Sequence, residues 1–148
     1  MKMITLPFLA LMLIAPVFLN AQEEVFKVVE SMPRFPGCED ESDRQKRDEC
    51  SKEKLFMFVA ENVQYPKAAK DKGIEGTAVI EFIIEKDGKV SNAKILRDPG
   101  EGTGKEALRV VNLMPDFIPG TQRGKKVRVQ YTLPIKFKLD SDKKDKEK

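Results

Sequence analysis

The sequence predicts an α+β fold: a small three-stranded antiparallel sheet with two helices packed on one face. Gly76–Glu85 and Lys126–Leu139 alternate apolar and polar residues with the period of a strand. Residues 55–63 and 103–114 carry apolar side chains at helical spacing instead. A short chain with this element order buries its apolar faces best as one sheet covered by both helices.

The first helix is predicted to begin at Ser51, its N-cap, and to end before Tyr65-Pro66. Pro66 then opens a short helical turn, which Gly73 ends in a left-handed conformation. Residues 22–50 precede this helix as an extended lead-in, because the stretch Met32–Gly37 is too rich in proline for a helix.

The first strand, Gly76–Glu85, is followed by Asp87-Gly88, a pair that predicts a two-residue type I′ hairpin. Lys89–Arg97 returns as the second strand. The second helix begins at Thr103, which is predicted to form a capping box with Glu106, and it ends before Pro115.

The last strand alternates over its whole length, with seven apolar side chains on one face between Val127 and Leu139. Pro134 interrupts it, and a strand proline has no N–H for the ladder. We therefore expect this strand at an edge of the sheet, where an extended peptide from a partner can add itself.

The N-terminus indicates export. Lys2 precedes an uncharged run, Ile4–Leu19, and Ala21 is suitably placed for cleavage, so residues 1–21 are predicted to be a secretory signal peptide. A short membrane anchor is the alternative, although a helix of this run reaches only ~24 Å against a hydrocarbon core of ~30 Å. Residues 51–139 are expected to form one domain, and residues 140–148, charged and without apolar side chains, a disordered tail.

Composition argues against most enzyme classes and cofactors. The chain has no histidine, so Ser-His and Cys-His nucleophile pairs are absent and a metal site would need thiolates. Cys38 and Cys50 are expected to form a disulfide after export, closing a loop within the lead-in. Glu81 and Glu85 lie on one strand face as a conceivable carboxylate pair, but a solvated face explains them better. We expect no catalysis, no metal and, in an exported protein, no nucleic-acid partner.

Several short motifs, in this order and spacing, resemble the TonB C-terminal domain family over residues 55–139. They are Gln64-Tyr65-Pro66, Ala68-Ala69, Gly73-Ile74-Glu75-Gly76, Asp87-Gly88-Lys89-Val90, Glu106-Ala107-Leu108, Met114-Pro115, Pro119-Gly120 and Val127–Phe137. The lead-in Met32–Cys38 is also similar to the segment that precedes this domain in part of the family.

The resemblance implies a non-enzymatic energy transducer that grips an extended segment of a TonB-dependent outer-membrane receptor in the periplasm. Strand addition to the last strand would provide the grip. The residues that the resemblance assigns to this contact are Gln64, Tyr65, Pro66, Val127, Arg128, Val129, Gln130, Tyr131 and Thr132. Inner-membrane motor proteins would be partners only if residues 1–21 remain as an anchor facing the periplasm. A secreted adaptor or structural module without force transmission is the alternative, and the same edge can also pair two copies of the chain.

Overall fold

The computed structural model describes residues 23–140, so the predicted signal peptide or anchor and nearly all of the predicted tail lie outside the described residues. Its strands and helices are β1 (Val25–Phe26), α1 (Arg44–Asn62), α2 (Lys67–Asp71), β2 (Gly76–Ile84), β3 (Val90–Arg97), α3 (Thr103–Asn112), β4 (Thr121–Gln122), β5 (Lys125–Lys126) and β6 (Arg128–Phe137). Within residues 23–140, the helices are all too short or too polar to cross a bilayer.

The main sheet has the order β1-β6-β2-β3. β2 and β6 pair antiparallel over nine consecutive residue pairs, from Gly76 opposite Phe137 to Ile84 opposite Val129. β3 pairs antiparallel with β2 but carries two irregularities in register, whereas β1 pairs parallel with the start of β6. The α+β class is confirmed, and the sheet has four strands rather than the three predicted, because the two-residue strand β1 joins its edge.

All the helices that contribute to the core lie on one face of the sheet, as predicted. The inward-facing residues of β2 and β6 form a single buried cluster with side chains of α1 and α3. Each large side chain buried this way contributes roughly 1.5–3 kcal/mol relative to its exposed state. The core members are Phe35, Leu55, Val59, Ala78, Ile80, Phe82, Ile84, Ala107, Val110, Val111, Phe117, Leu133, Ile135 and Phe137.

The N-cap of helix α1 lies eight residues before the predicted one. Asp43 is its N-cap and accepts a hydrogen bond from the Lys46 N–H at 2.9 Å. Ser51, predicted as the cap, is instead buried in mid-helix, where its hydroxyl donates to the Phe35 carbonyl at 3.1 Å. Since Phe35 belongs to the core, the lead-in is part of the folded body and not a loose approach to it.

The disulfide predicted between Cys38 and Cys50 is present and joins the lead-in to α1, with a Cα–Cα distance of 6.1 Å. Two isolated bridges also fasten the lead-in, pairing Ser31 with Thr121 and Arg34 with Ile118. The lead-in is thus held by covalent, backbone and core contacts between Ser31 and Cys38.

Two local predictions were wrong. The Asp87-Gly88 hairpin is not a type I′ turn, because only Gly88 has a positive φ (+85°), and its N–H closes a turn onto the Glu85 carbonyl at 2.9 Å. The Thr103–Glu106 capping box is also absent. Asp98 caps α3 instead, accepting the Gly104 N–H at 3.0 Å.

Candidate functional site

The position of Pro134 fixes which backbone groups of β6 face outward. Pro134 lies opposite Val79 on β2. Because proline has no N–H, this pair is one of the non-hydrogen-bonded pairs of the antiparallel ladder. Peptide groups two residues apart point the same way, so those of Gln130 and Thr132 also face away from β2. They present an N–H and a C=O each to the side of the sheet where a further strand would pair.

The first residues of this edge are already paired with the chain's own lead-in. Val25 lies opposite Arg128 and Phe26 opposite Val129, with both strands running in the same direction. The Arg128 guanidinium also donates to the Glu23 carbonyl at 3.1 Å. Beyond Val129, no strand among residues 23–140 pairs with this side of β6. The predicted binding stretch, Val127–Thr132, is therefore covered at its start and open as a strand edge at its end.

Polar side chains on the outer face hold β6 to its neighbours. Arg128 makes two hydrogen bonds to the Glu85 carboxylate, at 2.7 and 3.0 Å, and the pKa of Glu85 is lowered chiefly by these bonds. Two residues further along β6, the Gln130 side chain donates to the Glu81 carboxylate at 2.6 Å. The Lys94 ammonium on β3 lies 2.9 Å from the same carboxylate. Glu81 and Glu85 are thus engaged in separate cross-strand pairs, an arrangement that explains them as sheet contacts and not as an acid–base pair.

Tyr131 points to the opposite face, into an aromatic cluster. Its ring centroid lies 5.4 Å from that of Phe82 and 6.1 Å from that of Phe117. Burial raises the pKa of the Tyr131 phenol. Val129 is fully buried on the same face, and Thr132 is exposed on the other. The alternation places most side chains of this stretch in the core or in cross-strand pairs, so that the main chain and the exposed Thr132 are available to a partner.

A cavity of about 300 Å³ lies beside Tyr131 on the helical side of the edge. Its walls are the lead-in from Glu30 to Phe35 and side chains of α1, from the exposed Arg44 to the buried Leu55. Tyr131 is the only β6 residue that lines this cavity.

The Gln64-Tyr65-Pro66 segment lies elsewhere. The Gln64 N–H donates to the Glu106 carboxylate at 2.9 Å, and the Tyr65 hydroxyl donates to the Ile74 carbonyl. The Tyr65 ring packs edge-on against Phe137, at 5.5 Å between centroids. Phe137 is six residues from Tyr131 along β6, or roughly 20 Å. The structure does not bring this segment next to Val127–Thr132.

Sequence reasoning missed β1 as a participant in the site. The run Glu24–Val29 is rich in β-branched and aromatic residues, a composition favoured in strands, and it was a usable signal. Its partner, however, is more than 100 positions further along the chain. A contact between such distant segments leaves no mark in local periodicity.

Residues 61–139 match the family model described as the Gram-negative bacterial TonB protein C-terminal. The chain belongs to this TonB C-terminal family. The match covers slightly more than half of the chain, including α2, α3 and the strands β2 to β6. The family assignment therefore rests on the part of the chain that contains the β6 edge.

Two solution structures of the Helicobacter pylori TonB C-terminal domain are similar to this chain. The form comprising residues 194–285 is 25% identical, with a TM-score of 0.44, and the match covers 61% of this chain and 95% of that one. The form comprising residues 179–285 is 24% identical, with a TM-score of 0.41 and coverages of 60% and 81%. No curated protein matches the chain.

Proposed function

We propose that this protein binds an extended segment of an outer-membrane receptor by strand addition to β6, as a non-enzymatic component of energy-coupled transport in the periplasm. The contact centres on the outward-facing peptide groups between Arg128 and Thr132. Coupling to inner-membrane motor proteins belongs to the proposal only if residues 1–21 remain attached as an anchor.

The observation that carries the proposal is the orientation of the β6 main chain in a member of the TonB C-terminal family. Gln130 and Thr132 face away from β2, and on that side the pairing with β1 ends opposite Val129. The opposite edge of the sheet is less suitable, because the irregular pairing of β3 with β2 twists that edge and Lys94 lies on it. Strand addition therefore has one favoured side.

Main-chain hydrogen bonds would supply most of the affinity of such a complex. Pro134 limits the pairing at one end, because it offers no N–H. The proposal leaves out Gln64, Tyr65 and Pro66, since a short peptide paired with Arg128–Thr132 ends well before the Phe137 end of β6. It retains the predicted β6 residues as the binding edge.

The proposal is tested with Thr132→Pro, compared with Thr132→Val as the matched control. Thr132→Pro removes an outward N–H but none of the bonds between β6 and β2, and the side chain at this position is exposed. Thr132→Val changes the side chain and keeps the N–H. The probes are synthetic peptides of the N-terminal segments of outer-membrane receptors from the same cell, titrated calorimetrically against each protein.

We expect Thr132→Pro to weaken binding about tenfold, the equivalent of one lost main-chain hydrogen bond. Thr132→Val should bind like the unaltered protein. Equal affinities for all three proteins, with Thr132→Pro shown to be folded, would remove strand addition to β6. Self-association of the unaltered protein that Thr132→Pro abolishes would instead identify the edge as a contact between two copies.

A further inference from the structure

The edge proposed to bind a receptor segment is partly occupied by the chain's own strand β1. We propose that β1 is a built-in competitor, which must leave Arg128 and Val129 before a partner strand can pair with the whole edge. This inference rests on the proposed function, because it concerns the regulation of the same edge.

The length of the free edge explains why displacement matters. With β1 in place, its pairing ends at Val129. Only three residues, Gln130, Tyr131 and Thr132, then remain before Leu133 and Pro134. A strand confined to so few residues forms few hydrogen bonds, and it must compete with water for each of them. Removing β1 adds the outward groups of Arg128 to the surface that a partner can use.

The contacts that hold β1 are few. Val25 and Phe26 are only half-buried, and they are the only two residues of the strand. Ahead of them, the Glu23 carbonyl accepts a hydrogen bond from Arg128 at 3.1 Å, and the Glu23 carboxylate pairs with Lys86 at 2.6 Å, where both side chains are about half exposed. Exposed pairs of this kind contribute little. β1 can therefore separate from β6 without disturbing the hydrophobic core.

The chain that follows β1 is held much more firmly. Ser31 exchanges two backbone hydrogen bonds with Thr121, at 3.1 and 2.9 Å, and Phe35 is buried in the core. Just before Ser31, Val29 is buried, and the Glu30 N–H donates to the Gln122 side chain at 2.9 Å. Only Lys27 and Val28 therefore separate β1 from the firmly held chain, and Val28 is 81% exposed. A short tether keeps a released strand at a local concentration on the order of millimolar, so β1 returns whenever the edge is vacant.

The test compares a release variant, Val25→Pro with Phe26→Pro, with the control Val28→Pro. The two prolines remove both N–H groups of β1 and leave β6 unchanged. Val28→Pro places a proline in the same exposed segment but outside the pairing. Affinity is measured for the synthetic receptor N-terminal peptides, and backbone NMR spectra show whether the rest of each protein is folded as before.

If β1 covers the edge about nine-tenths of the time, the release variant binds the peptides about tenfold more tightly, because the competent fraction rises by that factor. Val28→Pro should match the unaltered protein. Equal affinity for all three proteins would overturn the competition while leaving receptor binding intact.

Absence of receptor-peptide binding to any of the three proteins would count against the proposed function, and a second probe then decides the competition. This probe is a peptide with the chain's own sequence Glu23–Val28, added at millimolar concentration. NMR shifts at Arg128–Gln130 in the release variant but not in the unaltered protein support the competition. Equal shifts in both proteins, or none in either, overturn it.

Discussion

Gly88→Ala tests how the hairpin between β2 and β3 is fixed to the rest of the domain. Gly88 has φ of +85°, and a Cβ at this position would lie 1.9 Å from the Phe117 carbonyl oxygen and 2.9 Å from its carbonyl carbon. The Gly88 carbonyl also accepts the Phe117 N–H at 2.8 Å. The tip of the hairpin is thus in direct backbone contact with a segment whose side chain belongs to the core.

The expected loss of stability has three contributions. The left-handed backbone costs about 1–2 kcal/mol with a Cβ, partly offset by about 0.4–1 kcal/mol because alanine restricts the unfolded chain. The Phe117 backbone must then move away, which removes a hydrogen bond of about 1 kcal/mol. Its ring packs against Phe35 and Tyr131, and displacing such a ring costs about 1–3 kcal/mol more. We expect a total loss of about 2–6 kcal/mol.

Gly124→Ala is the matched control. Gly124 also has a positive φ, +72°, but apart from its chain neighbours no atom of residues 23–140 lies within 4 Å of the place where its Cβ would be. This variant should lose only about 1 kcal/mol, the net cost of the left-handed backbone. Urea unfolding monitored by circular dichroism gives both values. If Gly88→Ala and Gly124→Ala destabilise the protein equally, the contact between residue 88 and the Phe117 backbone is not the cause of the loss.

Three further predictions concern the lead-in and the outer face. Replacing Cys38 and Cys50 together by Ser should lower the free energy of unfolding by about 3 kcal/mol, because the disulfide spans a sequence separation of 12; unchanged urea midpoints would contradict this. Phe35→Ala should cost about 3–4 kcal/mol in the same assay, since the ring is buried between Phe58 and Phe117, whereas a loss below about 1 kcal/mol would place the lead-in outside the core. Glu85→Gln should cost about 1 kcal/mol at pH 7. Folding lowers the pKa of Glu85, so the ionised carboxylate stabilises the folded protein at pH values above its unfolded-state pKa near 4.3, and this stabilisation is lost as the pH falls through the folded-state pKa. A difference in unfolding free energy between Glu85→Gln and the unaltered protein that persists at pH 2 would rule out this ion pair as the cause.

The strands with a clear period of two were predictable because each has one buried and one solvated face. β2 and β6 lie within a few residues of their predicted bounds for this reason. β3 has no buried residue, and its bounds followed from the Asp87-Gly88 turn signal instead. The start of α1 was not predictable from periodicity, because Arg44–Glu49 contains no apolar residue and the helix there faces water. Its N-cap, Asp43, is the only local signal.

The site was predictable in part. Pro134 predicted that β6 is an edge strand, whereas β6 lies between β1 and β2. Because β1 has only two residues, the side of β6 away from β2 has no paired strand beyond Val129 among residues 23–140. The partial occupation of that side by Val25 and Phe26 depends on a parallel contact between the two ends of the domain, which no local pattern encodes. The separation of Tyr65 from Val127–Thr132 likewise follows from where α2 and Phe137 pack.

The most direct test of the account is an NMR titration of the isotopically labelled protein, from Gln22 onward with its disulfide formed, against receptor N-terminal peptides. Strand addition to β6 predicts shift changes concentrated in Arg128–Thr132, accompanied by changes in Val25 and Phe26 as β1 gives way. Shifts centred on β3, Val90–Arg97, or a folded spectrum that no peptide perturbs, would contradict the claim that the open side of β6 is the receptor-binding edge.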